Sequence, residues 1–147
     1  MLHIRFFSIV LACAAGLGGH QAYAQNCDPV FSGIEAPADD PTGNVKMARI
    51  DATLRSMAGD PHYRLLTDRA DFIAFQDTRG AAVWTFTKPG HRPHPAVVCR
   101  EPAEADDGTL TLAMRVNCYG STPDCDGLVA AFTRLNERAI QSLREKP

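Results

Sequence analysis

"LTLAMRVNC", residues 110–118, alternates without a break. Leu110, Leu112, Met114, Val116 and Cys118 fall on one side, and Thr111, Ala113, Arg115 and Asn117 on the other. A period of two held over this stretch is that of a β-strand, whose successive side chains point to opposite faces. It predicts a strand with one buried face and one wetted face. The stretches upstream repeat the theme. "AVVCR" (96–100) reads as a strand, joined to 110–118 by the acidic turn "EPAEADDGT" (101–109). "AVWTFTK" (82–88) sets Trp84 and Phe86 against Val83, Thr85 and Thr87. "DFIAFQD" (71–77) is short, apolar and aromatic, and "TRGA" (78–81) between these two carries Gly80, so they form a hairpin. Residues 60–70 read as a loop with an extended piece at 63–66.

Helical periodicity appears on both sides of this run. Met47, Ile50, Leu54 and Met57 make one apolar stripe, which Thr42 or Asn44 can cap and which Gly59 with Asp60-Pro61 ends. Downstream, Ser121 or Thr122 caps a second helix, Pro123 sits at its start, and Asp124 and Asp126 favour its positive end. Its core stripe is Leu128, Phe132, Leu135, Ala139 and Leu143, with Arg134, Arg138 and Arg144 on the solvated side. The expected fold is α+β: a two-layer sandwich in which an antiparallel four-stranded meander is covered on one face by an N-terminal and a C-terminal helix. The Pro-, Gly- and Asp-rich stretch up to residue 44 reads as an irregular arm.

Residues 1–24 have the form of a secretory signal: Arg5, then the apolar "FFSIVLACAAGLG", then a small-x-small "AYA" at 22–24. "VLAC" ending at Cys13 offers a second reading, an acylated Cys13, although the apolar run before it is short. Cleavage after Ala24 leaves residues 25–147, enough for one domain and too little for two. The segment removed carries a single charge, Arg5, so the net charge goes from −2 to −3. A mildly acidic domain has no electrostatic footprint for nucleic acid. No later stretch is long and apolar enough to span a membrane. The expected location is the periplasm of a bacterium.

The mature chain keeps four cysteines, Cys27, Cys99, Cys118 and Cys125. An even number in an oxidising compartment implies two disulfides, and the absence of a C-x-x-C argues against zinc. Of three pairings, Cys99–Cys118 is disfavoured. If 96–100 and 110–118 form a hairpin, Cys99 lies opposite residues near 110, and Cys118 sits too far along the ladder. That leaves Cys118–Cys125, closing a short loop, and Cys27–Cys99, tying the arm to the sheet.

"PGHRPHP" (89–95) is the one stretch that invites a chemical reading. A metal site there would use His91 and His94 and would need His62, the only other mature histidine, to fold back onto the loop. Cysteine nucleophiles are consumed by the bridges, no G-x-S-x-G elbow or phosphate loop is present, and no cofactor or enzymatic activity is expected. The prolines restrict the residues before them to extended shapes and display Lys88, His91, Arg92 and His94 on a stiff backbone. Ordering such a loop on binding costs little, so these four residues are the expected partner contact. The acidic Asp39-Asp40 and Glu101–Asp107 stretches also offer a surface to a basic partner, though each alone is what a solvated turn looks like.

"VWTFTKPGHRPHPAVVCR" (83–100) resembles a stretch found in small exported proteobacterial proteins, a W-x-F-x-x-x-x-H-x-x-H-P pattern with a cysteine soon after. The resemblance brings no catalytic residues with it. The overall build also resembles periplasmic immunity proteins and inhibitors that neutralise antibacterial effectors, which are small, exported, disulfide-bonded α+β domains. The expected function is a periplasmic protein-binding module, an immunity protein or inhibitor whose partner is an effector enzyme. The alternative is a periplasmic metal-binding protein using the loop histidines.

Overall fold

The computed structural model describes residues 26–34 and 44–145; the expected signal at 1–24 with Cys13, Asp39-Asp40 and Thr42 lie outside them. The elements in chain order are α1 (Asp28–Ile34), α2 (Asn44–Gly59), β1 (Tyr63–Asp68), β2 (Phe72–Asp77), β3 (Val83–Thr87), β4 (Ala96–Glu104), β5 (Leu110–Cys118) and α3 (Thr122–Arg144). The strands form one antiparallel sheet in the order β1-β2-β3-β4-β5, a meander. The α+β class and the antiparallel meander are as expected, but the sheet has five strands rather than four.

The additional strand is β1. Its alternation is hidden because Leu65 and Leu66 are adjacent apolar residues and the register shifts between Leu65 and Thr67. As an edge strand it leaves most of its side chains exposed, so no buried face imposed a pattern on the sequence.

The sheet is covered on both faces, which makes three layers where two were expected. Phe75, Trp84, Phe86, Val97 and Cys99 share one face through the strand register, and they pack with Phe31 and Ile34 of α1 and Ile50 and Met57 of α2. Trp84 is fully buried and stacks on Phe31, with centroids 5.5 Å apart and planes at 30°. Burial of large apolar side chains of this kind contributes about 1.5–3 kcal/mol each, and the stacked pair adds about 0.5–1.5 kcal/mol. Helix α3 lies on the other face. Arg100 of β4, which has the parity of Ala96 and Val98, carries its guanidinium 5.2 Å from the Phe132 ring and donates to Asn136 Oδ1 at 3.2 Å.

Two local expectations change. The arm holds a two-turn helix, α1, with Phe31 and Ile34 buried at i and i+3. A helix this short is marginal alone; Cys27 beside it is bridged to Cys99, and Arg115 of β5 pairs with Asp28 in its first turn. On β5 the predicted strand bounds hold, yet the polar side is not simply wet: Ala113 packs on the main core, and Arg115 sits 5.0 Å over the Phe31 ring. The apolar side faces α3 and is only half-buried, and no α3 residue is fully buried. Ser121 caps α3, accepting from the Asp124 amide.

Both expected disulfides form, Cys27–Cys99 with Cα atoms 5.9 Å apart and Cys118–Cys125 at 5.8 Å. The reason Cys99 avoids Cys118 differs from the one anticipated. β4 runs on to Glu104, so Cys99 lies opposite Arg115, not near 110, and Cys118 lies opposite Ala96. The two cysteines are therefore three positions apart and on opposite faces. β4 continues through Pro102 because β3 ends its pairing at Val83–Arg100, so no ladder bond from β3 needs the missing Pro102 N–H.

Candidate functional site

The corner after β3 is built by Thr87. Its hydroxyl accepts from the Ala96 amide at 2.9 Å and donates to the Ala96 carbonyl at 3.2 Å, so the chain leaves and re-enters the sheet at one point. His94 turns inward, half-buried, with Nδ1 donating to the Thr87 carbonyl at 3.0 Å. Nδ1 therefore carries the proton. The Lys88 carbonyl accepts from the His91 amide at 3.2 Å, and Gly90 takes φ +86°, which favours glycine. The Arg92–Pro93 and His94–Pro95 peptide bonds are both cis. Pro93 is buried against the lead-in to α3, where a Cβ on Gly120 would come within 3.0 Å of the Pro93 Cβ.

Of the four residues expected to meet a partner, His91 and Arg92 are exposed at the corner. Lys88 is paired with Asp68 across the strand end, and His94 is committed to Thr87. His62 is not brought to them. It precedes Tyr63, which lies opposite Asp77, whereas the corner follows Thr87, which lies opposite Phe72. The length of β1, six residues at about 3.3 Å each, separates the two ends. Among the described residues no group of three or more His, Cys, Asp or Glu side chains is placed to hold a metal ion.

Two acids of the 101–107 stretch are engaged within the fold. Glu101 is buried and accepts from the Asn26 amide at 3.1 and 3.3 Å. Asp107 accepts from the Thr109 amide at 2.9 Å and hydroxyl at 2.6 Å, and these bonds hold its carboxyl below the usual range. Gly108 closes that turn at φ +79°. At the other end of the sheet Asp77 receives a two-pronged bond from Arg79 at 2.9 Å, which lowers its pKa, and Arg79 also lies 5.3 Å over the Tyr63 ring. All four cysteines among the described residues are bridged, so none of them offers a thiolate.

A second feature was not anticipated. α3 lies toward β5 and leaves the outer face of β1–β3 beside a groove of about 430 Å³. Its floor includes Phe72, Ala74 and Val83, and its α3 wall includes Leu128, Phe132 and Leu135. His91, Arg92, Arg100 and Arg138 contribute four basic side chains, against one acid, Asp71. Arg100 stands out because it sits on a central strand beneath a helix. Burial pushes its pKa down, its Nε is buried without an acceptor, and among the described residues no carboxylate is in ion-pair range of it. The signal was present in the sequence: extending the alternation of Ala96 and Val98 by one step puts Arg100 on the same face.

No family model matches the chain, nor does any curated protein or solved structure. No helix among the described residues is long and apolar enough to cross a membrane. Two disulfides in a domain of this size are the chemistry of an oxidising, exported environment.

Proposed function

We propose that the chain is a periplasmic binding module that acts by occupying another protein, and that its most specific form is an immunity protein or inhibitor of an effector enzyme. The observation that carries this reading is the corner at 88–95. It presents His91 and Arg92 to solvent on a backbone held by the Thr87–Ala96 bonds and the buried Pro93. A contact element ordered beforehand loses little freedom on binding, and arginine is a frequent interface anchor. With His94 and Lys88 turned to internal partners, the contact narrows to His91 and Arg92. The basic corner suits an acidic partner surface, the reverse of the expectation from the acidic stretches.

The test uses oxidised protein of residues 25–147 as bait for secreted and periplasmic fractions of its own and neighbouring bacteria. The expected result is stoichiometric capture of an enzyme, loss of its activity on addition of the protein, and at least tenfold weaker binding for the double variant His91→Ala/Arg92→Ala. A captured enzyme whose activity and affinity ignore both changes would sink the proposal.

A further inference from the structure

We infer that the groove between α3 and the outer face of β1–β3 is a binding site for a single-chain amphiphile ending in one carboxylate, with Arg100 as the anchor for its head group. The first argument is charge. A cation on a central strand is costly unless something compensates it. Arg100 has one amide oxygen, that of Asn136, and the face of Phe132, while its Nε has no acceptor. A guanidinium offers five donors in a planar fork, and a carboxylate fits that fork with two parallel bonds. Arg138, His91 and Arg92 line the same groove, so its potential favours an anion.

The second argument is the floor. From Arg100 the outer face runs across its β3 neighbour Val83 to β2, where Ala74 and Phe72 lie, and reaches Leu66 on β1. Ala74 on β2 is a small apolar residue in that floor, so it adds little bulk to it. About 430 Å³ lies within the range of roughly 300–1,000 Å³ of small-molecule sites, which are typically apolar with a few convergent polar groups. An alkyl chain lying across that floor with its carboxylate at Arg100 meets both features. The occupant is a small molecule, and its anchor lies on the sheet rather than at the 88–95 corner, so the inference goes beyond the binding-module reading.

The test is calorimetric titration of the oxidised mature protein, with ¹⁵N chemical-shift mapping, using decanoate, octanoate and decyltrimethylammonium below micelle formation. Decanoate is expected to bind at one site, at least tenfold more tightly than the cationic amphiphile, with shifts centred on Ala74, Val83 and Leu128. Each methylene is worth about fourfold in affinity, so octanoate should bind roughly fifteenfold more weakly. Arg100→Met keeps the apolar stem and should remove the preference for carboxylate. Should that variant fail to fold, Leu135→Glu decides, because Leu135 is 38% exposed and the change places an acid on the wall without disturbing the core. It should weaken decanoate several-fold and narrow its advantage over the cation, and an unchanged ratio of the two affinities would count against the inference. Non-saturable binding, equal affinity for the two head groups, or shifts confined to the 88–95 corner would overturn the inference.

Discussion

Removing the two disulfides one at a time should cost the protein very different amounts of stability. Cys27–Cys99 spans 72 residues and Cys118–Cys125 spans 7. In the loop-closure description, a bridge restricts the unfolded chain by an entropy that grows with the logarithm of the loop it closes. For these separations the stabilisation at 25 °C is about 4.4 kcal/mol for the long loop and about 2.4 kcal/mol for the short one. The native state widens the gap. Cys27 and Cys99 are both fully buried in the main core, and their bridge holds α1, which carries Phe31 onto Trp84. Cys118–Cys125 ties α3 to a half-buried face. The perturbations are Cys27→Ala with Cys99→Ala, and separately Cys118→Ala with Cys125→Ala. Urea unfolding followed by the fluorescence of Trp84, the only tryptophan, measures both. With a urea m-value of about 1–3 kcal/mol/M, the first pair should lower the midpoint by about 1.5 M or more. The native emission of that variant should also shift, because Phe31 loses its tether. Equal losses from the two variants, or a larger loss from the Cys118/Cys125 pair, would refute the reasoning.

Two further outcomes follow from particular side chains. Hydrogen bonds from Arg79 hold the Asp77 carboxyl below its usual pKa, so its contribution is present above the unfolded value of about 3.9 and fades as pH falls through the folded value. Asp77→Asn should lower stability at pH 7 by at most about 1 kcal/mol, since Arg79 is half exposed and screened. Parent and variant should converge in strong acid; a gap that persists at pH 2 in urea titrations would count against the pair. The loop histidines should also separate. His94→Ala removes the Nδ1 bond to Thr87 and should cost about 1 kcal/mol in chemical unfolding, whereas His91→Ala at the exposed corner should stay within about 0.5 kcal/mol. Equal effects would mean that the corner is not built as described.

Much of the fold was legible because local pattern and burial agree where an element has one strongly buried face. β2, β3 and β5 fell where alternation or aromatic enrichment placed them, and Ser121 caps α3 as its chemistry suggests. β1 was read only as an extended piece at 63–66 within a loop, and α1 was missed, for opposite reasons. β1 is an edge with a register shift and few buried side chains, so selection of residue type by burial was weak. α1 is a short helix within turn-forming composition, and its formation depends on a disulfide and on Trp84, both remote in sequence. The corner at 88–95 was picked out by its prolines and histidines, but which of its cations are free depended on Asp68 and the Thr87 carbonyl. The groove was invisible because it is made by five elements, and no local period encodes where a helix stops covering a sheet.

The sequence by itself determined the class of the domain, the meander, the run of the last helix and the two disulfides, because these rest on periodicity, capping and cysteine number. Only the tertiary structure decided which sheet face each helix covers. It also decided that His94 and Glu101 turn inward and that Arg100 lies in a groove with no carboxylate of the described residues in ion-pair range of it. Those outcomes depend on register and on partners far away in the chain. A strand's period states that two faces differ; what each face meets is settled by packing.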